Sequence, residues 1–246
     1  MNGEVYLSVI IPAYNESDRI LKTIDSISEY LSHRGFSSEI IVSSGGSTDN
    51  TVAVVKHKML STPGLRVVED ARKGKGLGIK IGMLEAKGRI RLFTDADNST
   101  DISHFDRMRP FFDQGYEVVI ASRDAKDAPG AAQAVSQVWY KRLMGNIGNL
   151  FIQFVAVRGF WDTQCGFKAF RDFAAEKIFN QQRISGWGFD IEALVLAKAL
   201  GYRIGVIPAY WINDPKSHVR LSAYFQVLWE TIKVRLNFWR GKYELS

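Results

Sequence analysis

The sequence predicts an α/β fold with a mostly parallel central sheet, helices on both of its faces, and an amphipathic helix at the C-terminus. Three observations predict it. Short apolar, β-branched runs alternate with helical patterns through the first third of the chain, the arrangement of parallel strands joined by right-handed crossovers. Each run ends in a loop of polar and small residues, and loops at the carboxyl ends of such strands build the functional site. Two aromatic, apolar stretches at helical spacing occupy much of the last part of the chain, within residues 136–157 and 221–239.

Residues 5–11 are a β-rich run closed by Pro12, the pattern of a buried strand. Ile20, Ile24, Ile27 and Leu31 then recur at helical spacing behind Asn15-Glu16-Ser17, residue types suited to a helix start. A second strand is predicted over 39–42, followed by a loop from Ser43 to Asp49 and a helix from Val52. A third short strand over 64–68 leads through Lys73-Gly74-Lys75-Gly76-Leu77-Gly78 into a helix reaching Lys87, and 89–93 makes the fourth strand.

The 246 residues are 46% hydrophobic and 24% charged, which suits one domain with a sizeable core and excludes a disordered chain. The division expected is a catalytic domain over 1–215 and a basic, aromatic helix over 216–246. A formal charge of +6 calls for anionic partners. Nucleic acid is not expected, since no nucleic-acid-binding motif accompanies the charge. Cys165 is alone, so no internal disulfide forms, which fits a reducing compartment. Residues 1–4 lack a signal region, and no run reaches the roughly 20 apolar residues of a spanning helix.

Chemistry concentrates at Asp95-Ala96-Asp97, at the end of the fourth strand. Side chains in an extended segment repeat every two residues, so both carboxylates can face one cation. Hard oxygen ligands suit Mg²⁺ or Mn²⁺, which bind through one or two carboxylates plus substrate phosphates. The competing reading is a turn, where Asp and Asn serve the backbone. Three other loops, Pro12-Ala13-Tyr14-Asn15-Glu16, 43–49 and 73–78, follow strands and face the same edge. Gly74, Gly76 and Gly78 do not have dinucleotide-fingerprint spacing and the chain has no P-loop, but Lys75 can reach a phosphate.

These residues carry a resemblance. The ordered series of residues 8–16, Gly46-Ser47-Thr48-Asp49, Gly74-Lys75-Gly76, Asp95-Ala96-Asp97, Ala121-Ser122-Arg123, residues 164–170 and Gly188-Phe189-Asp190-Ile191-Glu192 resembles the family 2 glycosyltransferases. Within them it is most similar to the polyprenyl-phosphate (dolichyl-phosphate) mannosyl- and glucosyltransferases. The resemblance implies a nucleotide-diphospho-sugar transferase fold, a divalent cation (Mg²⁺ or Mn²⁺) on Asp95 and Asp97, and inversion at the sugar carbon. It assigns Pro12, Ala13, Tyr14, Glu16, Ser44, Lys75 and Asp95 to a donor of GDP-mannose or UDP-glucose type. Asp97, Arg123, Asp190 and Glu192 fall in its catalytic set, and Arg123, Lys141, Arg142 and Gln164 in its acceptor-phosphate set. One departure stands out: the family has two aspartates before Gly46, where this chain has Ser44 and Gly45. Serine carries no charge, so reading of the nucleotide base must differ.

The acceptor decides whether a base is needed. A hydroxyl acceptor, glycan or otherwise, requires a general base, and Asp190 and Glu192 are the family-matched carboxylates. They equally suit a helix start with acids at its positive end. An acceptor phosphate, with a second pKa near 6, is already anionic and needs only cations. A non-catalytic nucleotide-sugar binder is a further alternative, against which the intact Asp95 and Asp97 argue. Trp139, Leu143, Ile147, Phe151 and Phe154, and then Leu221, Phe225, Leu228, Ile232, Leu236 and Trp239, form apolar stripes. The second has Lys233, Arg235, Arg240 and Lys242 beside it. A helix of that kind lies in a membrane interface, packs into a core, or makes a contact between copies; two in such a family point to peripheral association with a membrane's cytoplasmic face. The loop between them, with His218, is expected to be polar and near the site.

Overall fold

The computed structural model describes residues 4–133, 139–212 and 221–245. The chain runs β1 (Leu7–Ala13), α1 (Ile20–Ser32), β2 (Ser38–Gly45), α2 (Thr51–Met59), β3 (Leu65–Asp70), α3 (Lys75–Glu85), β4 (Ile90–Thr94), α4 (Phe105–Asp113) and β5 (Val118–Ser122). It continues with β6 (Ala132–Gln133), α5 (Trp139–Val155), β7 (Phe167–Arg171), α6 (Asp172–Gln181), α7 (Phe189–Ala199), β8 (Ile204–Pro208), β9 (Tyr210–Trp211) and α8 (Leu221–Trp239).

Among the described residues, seven strands form one sheet in the order β3-β2-β1-β4-β7-β5-β8. β1 pairs in parallel with both β2 and β4, and β5 with β8. β7 lies antiparallel between β4 and β5, joining the two parallel halves. A short parallel pair, β6 with β9, stands apart.

Strand alternation sorts the core onto two faces. Val9 and Ile11 of β1 join Ile24, Ile27, Val55, Phe105 and Met108 on the face of α1, α2 and α4. Ile10 joins Ile79, Met83, Phe179, Leu194, Val227 and Val234 on the face of α3, α6, α7 and α8. Each fully buried residue of this size contributes about 1.5–3 kcal/mol. The C-terminal helix is therefore part of the second core, with Tyr243 beyond it also buried. The expected boundary at 215/216 and His218 lie outside the described residues.

Two expectations change. α1 begins at Ile20, and Asn15 is no helix cap: its φ of 54° turns the chain, and its side chain bridges to the next loop. β2 runs on through Ser44 and Gly45, because Ser43 and Ser44 pair with Pro12 and Ala13 on one side and with Val68 and Glu69 on the other.

Candidate active site

The four loops expected to converge do so through named contacts. Asn15 Oδ1 accepts from the Thr48 backbone N–H (2.8 Å), the Glu16 N–H donates to Thr51 Oγ1 (2.8 Å), and the Ser17 N–H to Asp49 Oδ2 (3.2 Å). Asp49 also accepts from the Thr51 N–H and hydroxyl. Burial works to raise the Asp49 pKa, and these donors outweigh it, bringing it to about 2. Glu16 pairs with Arg19 and so helps shape its own turn. Lys73 Nζ donates to the Tyr14 hydroxyl at 2.8 Å and lies 4.9 Å from the centre of its ring, on the exposed side of the first loop. Pro12 and Ala13 end β1, and Ser44 is buried inside β2, its hydroxyl donating to Ser47 Oγ (2.9 Å).

The third loop reaches the fourth by an ion pair. Lys75 Nζ stands 2.6 Å from Asp95 Oδ1, both side chains partly exposed, with the Trp187 ring 5.2 Å away. Burial works to lower the Lys75 pKa, but Asp95, Asp190 and then Asp97 hold it above its ordinary value, so the ammonium is charged. The loop is fixed from behind. The Gly76 and Leu77 N–H groups donate to the Gly186 and Ser185 carbonyls (3.2 Å each), and Gly74 adopts a φ of 145° that other residues avoid. Asp95 in turn rests on Gly166, where a Cβ would stand 2.7 Å from Oδ1 and nearer still to Oδ2 and Cγ.

Asp97 is partly exposed, and its Oδ1 accepts from the Ser99 N–H at 3.0 Å. Asn98 Oδ1 and Ser99 Oγ directly behind it are buried without a hydrogen-bond partner among the described residues. The turn thus carries more oxygen donors than the protein satisfies. Among the described residues no group of three or more His, Cys, Asp or Glu gathers to hold a metal alone. Mg²⁺ or Mn²⁺ takes one or two carboxylates together with phosphate and water oxygens, and Asp95 and Asp97, both partly exposed, fit that donor chemistry.

Arg123 follows β5 and grips Asp162: Nε donates to Oδ2 (2.7 Å), Nη2 to Oδ1 (2.9 Å), and its backbone N–H to Oδ2. Burial works to lower the Arg123 pKa; Asp162 more than offsets it. The Asp162 carboxyl, raised by burial, is brought down by Arg123 to about 2. Its Oδ1 also accepts from the Gln164 N–H (3.1 Å), so Arg123, Asp162 and Gln164 form one cluster. The Trp211 ring lies 5.4 Å from the Arg123 guanidinium. The side chains of Lys141 and Arg142, in α5, lie outside the described residues.

Asp190 and Glu192 do not stand open to solvent. Asp190 Oδ1 is 2.6 Å from the fully buried Lys168 Nζ, which also donates to the Cys165 carbonyl. Burial pushes the Asp190 carboxyl up, and Lys168 and Lys75 offset only part of that, so it stays above its ordinary value. Glu192, fully buried, accepts from the Arg183 and Ile184 N–H groups (3.0 and 2.8 Å) and from the Tyr243 hydroxyl (2.7 Å). That environment anchors the segment before α7 and the C-terminal tail. Lys73 and Lys168 lie inside the 73–78 loop and the 164–170 series, but sequence reasoning assigned neither a role; Asp162 falls outside every motif, and its place two residues before Gln164 was the available signal.

A parallel sheet with an acidic pair after β4 and a glycine-lysine loop against it is the architecture of nucleotide-diphospho-sugar transferases. The crystal structure of glucosyl-3-phosphoglycerate synthase from Mycobacterium tuberculosis in complex with Mn²⁺, uridine diphosphate and phosphoglyceric acid has the same fold. Its TM-score is 0.67 at 20% identity, over 95% of this chain and 78% of that one. Residues 8–179 match the model of glycosyl transferase family 2, and the chain belongs to that family. Its curated relatives include a dolichyl-phosphate beta-glucosyltransferase of Trichomonas vaginalis, 30% identical over 97% of this chain and 73% of the relative. The dolichyl-phosphate beta-glucosyltransferase of Saccharomyces cerevisiae is 32% identical over 89% and 70%.

Proposed function

We propose that the protein transfers glucose from UDP-glucose to a polyprenyl phosphate of dolichyl type, with inversion at the sugar carbon. The observation that carries this reading is the commitment of Asp190 to Lys168 and of Glu192 to Arg183, Ile184 and Tyr243. With both family-matched carboxylates held in buried contacts, the site suits a nucleophile that arrives already ionised, as a phosphate monoester does near neutral pH. The names of the curated relatives and the uridine diphosphate bound to the structural neighbour support the choice of donor.

In this reading Tyr14, Lys73 and the loop behind Ser44 hold the nucleoside, and Lys75 turns its ammonium to the diphosphate. A divalent cation on Asp95 and Asp97 would neutralise charge on the departing diphosphate. Arg123, fixed by Asp162, would bind the acceptor phosphate with Gln164, Lys141 and Arg142. An acceptor phosphate oxygen bonds to the anomeric carbon from the face opposite the nucleotide. The bond from that carbon to the diphosphate oxygen breaks, and the nucleoside diphosphate leaves with the electron pair.

The acceptor would come from a membrane that the protein meets peripherally. Among the described residues no helix is long and apolar enough to cross one. α8 buries Ala223, Val227, Glu230 and Val234, so the opposite stripe that includes Phe225 and Trp239 faces outward, 65% and 70% exposed, with Trp229 beside it at 55%. α5, packed against α8, exposes Ile147, Leu150 and Phe154. Together they make an apolar, aromatic face of the kind that lies at the headgroup boundary. The test offers a panel of labelled nucleotide sugars with a short polyprenyl phosphate. Label from UDP-glucose should enter the lipid phase; transfer to free saccharides, with none to polyprenyl phosphate, would overturn the reading.

A further inference from the structure

A second concave site lies behind the 73–78 loop, on the far side of residues 183–186. It is a cavity of about 330 Å³ between residues 183–185 and α8, and it is lined by Arg183, Lys233, Arg240 and Lys242, with Glu230 the only carboxylate in its lining. Glu230 is already satisfied: Oε2 accepts from the Gly188 N–H (2.6 Å) and Oε1 from Gln226 Nε2 (2.8 Å). None of the four cations has an ion-pair partner among the described residues, although many other basic residues, such as Lys56, Arg72 and Arg91, do. Arg183 is held in place by donating Nε and Nη2 to the Lys242 carbonyl (3.1 and 2.7 Å).

The cavity opens beside the apolar face. Lys233 lies on α8 and Arg240 directly follows its last residue, seven positions on and so on the same side, and Lys233 Nζ lies 5.5 Å from the centre of the outward Trp229 ring. With Phe225 and Trp229 in the interface, long basic side chains on the flank reach headgroup height. A volume of this size takes a whole phosphorylated headgroup, and three exposed cations beside Arg183 complement its charge.

We infer that this cavity binds the phosphate headgroup of an anionic membrane phospholipid, as a docking site distinct from that of the reacting acceptor. The inference rests on the membrane reading above. Its wall is also the support of the donor loop: the Ser185 and Gly186 carbonyls that border it accept from Leu77 and Gly76. A bound headgroup therefore braces the backbone that places Lys75.

The test measures binding of the intact chain to phosphatidylcholine vesicles with and without phosphatidic acid. Wild type should bind the neutral vesicles through the aromatic face and gain affinity from phosphatidic acid. K233Q/R240Q should remove about 25-fold of that gain, the product of about fivefold for each cation, while binding neutral vesicles normally. K233R/R240K should keep the gain, and Arg235→Gln, on the other flank and outside the cavity, should lose little of it. The inference falls if phosphatidic acid gives no gain, if K233Q/R240Q retains it, or if Arg235→Gln loses as much per charge. Displacement of bound vesicles by inorganic phosphate would reassign the cavity to a soluble phosphate; no displacement supports the lipid. F225S/W229S separates the two layers: it should lose neutral vesicles as well, and failure of wild type to bind any vesicle would sink the membrane reading itself.

Discussion

Gly166→Ala tests whether the position of Asp95 matters to turnover. The new Cβ would stand 2.7 Å from Asp95 Oδ1 and closer to Oδ2 and Cγ. Non-bonded carbon and oxygen atoms settle at about 3.3–3.5 Å, so the carboxylate must move by roughly 1 Å or more. Asp95 is 29% exposed, so it can swing toward solvent without disturbing the core, and thermal stability should change little. The Lys75 pair at 2.6 Å would open, and one oxygen of the proposed cation site would be displaced. A misplacement of that size costs about 100-fold in kcat/KM, or about 2.7 kcal/mol. Steady-state transfer to polyprenyl phosphate measures it, with Mn²⁺ titration of the donor-free protein as a second readout. Gly35→Ala, which meets nothing within 4 Å, is the silent control. A kcat/KM within about threefold of wild type, with unchanged Mn²⁺ affinity, would refute the reasoning about Asp95.

Lys75→Met should lower turnover by about 10- to 100-fold through loss of one charge-assisted contact, yet tighten Mn²⁺ binding without donor, because no ammonium competes for Asp95; weaker Mn²⁺ binding in an electron-paramagnetic-resonance titration would contradict this. Arg123→Ala leaves the buried Asp162 unpaired and should cost about 3 kcal/mol in denaturant unfolding. In the wild type, Asp162 titrates at about 2 folded and at an ordinary 3.8 unfolded. Its contribution is therefore complete above about pH 4 and lost as pH falls toward 2, about 2 kcal/mol in all; a stability curve without that loss would exclude the pairing. Ser44→Asp should change the order of preference across a nucleotide panel, whereas Gly45→Asp presses a Cβ to 3.2 Å from the Arg72 carbonyl oxygen and should weaken every donor. An unaltered preference in both variants would mean that this loop does not read the base.

The first four strands, their helices and the four loops were legible because each rests on local periodicity and local turn chemistry. What escaped depends on partners distant in sequence. Asn15 has the composition of a helix cap, and only the loop at Thr48 draws it into a left-handed turn. Asp190 and Glu192 matched a family motif, but spacing does not reveal that Lys168 and Tyr243 occupy them. The stripe on α8 was visible as a period, and a period does not say which side faces the protein; burial of Val227 and Val234 turns Phe225 and Trp239 outward. Nor does sequence show that removing 221–246 would take away core residues, so point changes on the outward stripe are the sounder probe of the membrane face.

The antiparallel β7 has a consequence for motion. It meets β4 along five register pairs, from Ile90 with Arg171 to Thr94 with Phe167, but meets β5 along only three, Val118 to Ile120. Local opening follows the weaker seam, so the half carrying β5, β8 and Arg123 should breathe against the half carrying β1, β2 and Asp95. Amide hydrogen exchange would then divide the sheet at β7: slow protection from β2 to β4, and earlier exchange in β5 and β8. The two substrates would thus be held on halves that can part without either one unfolding.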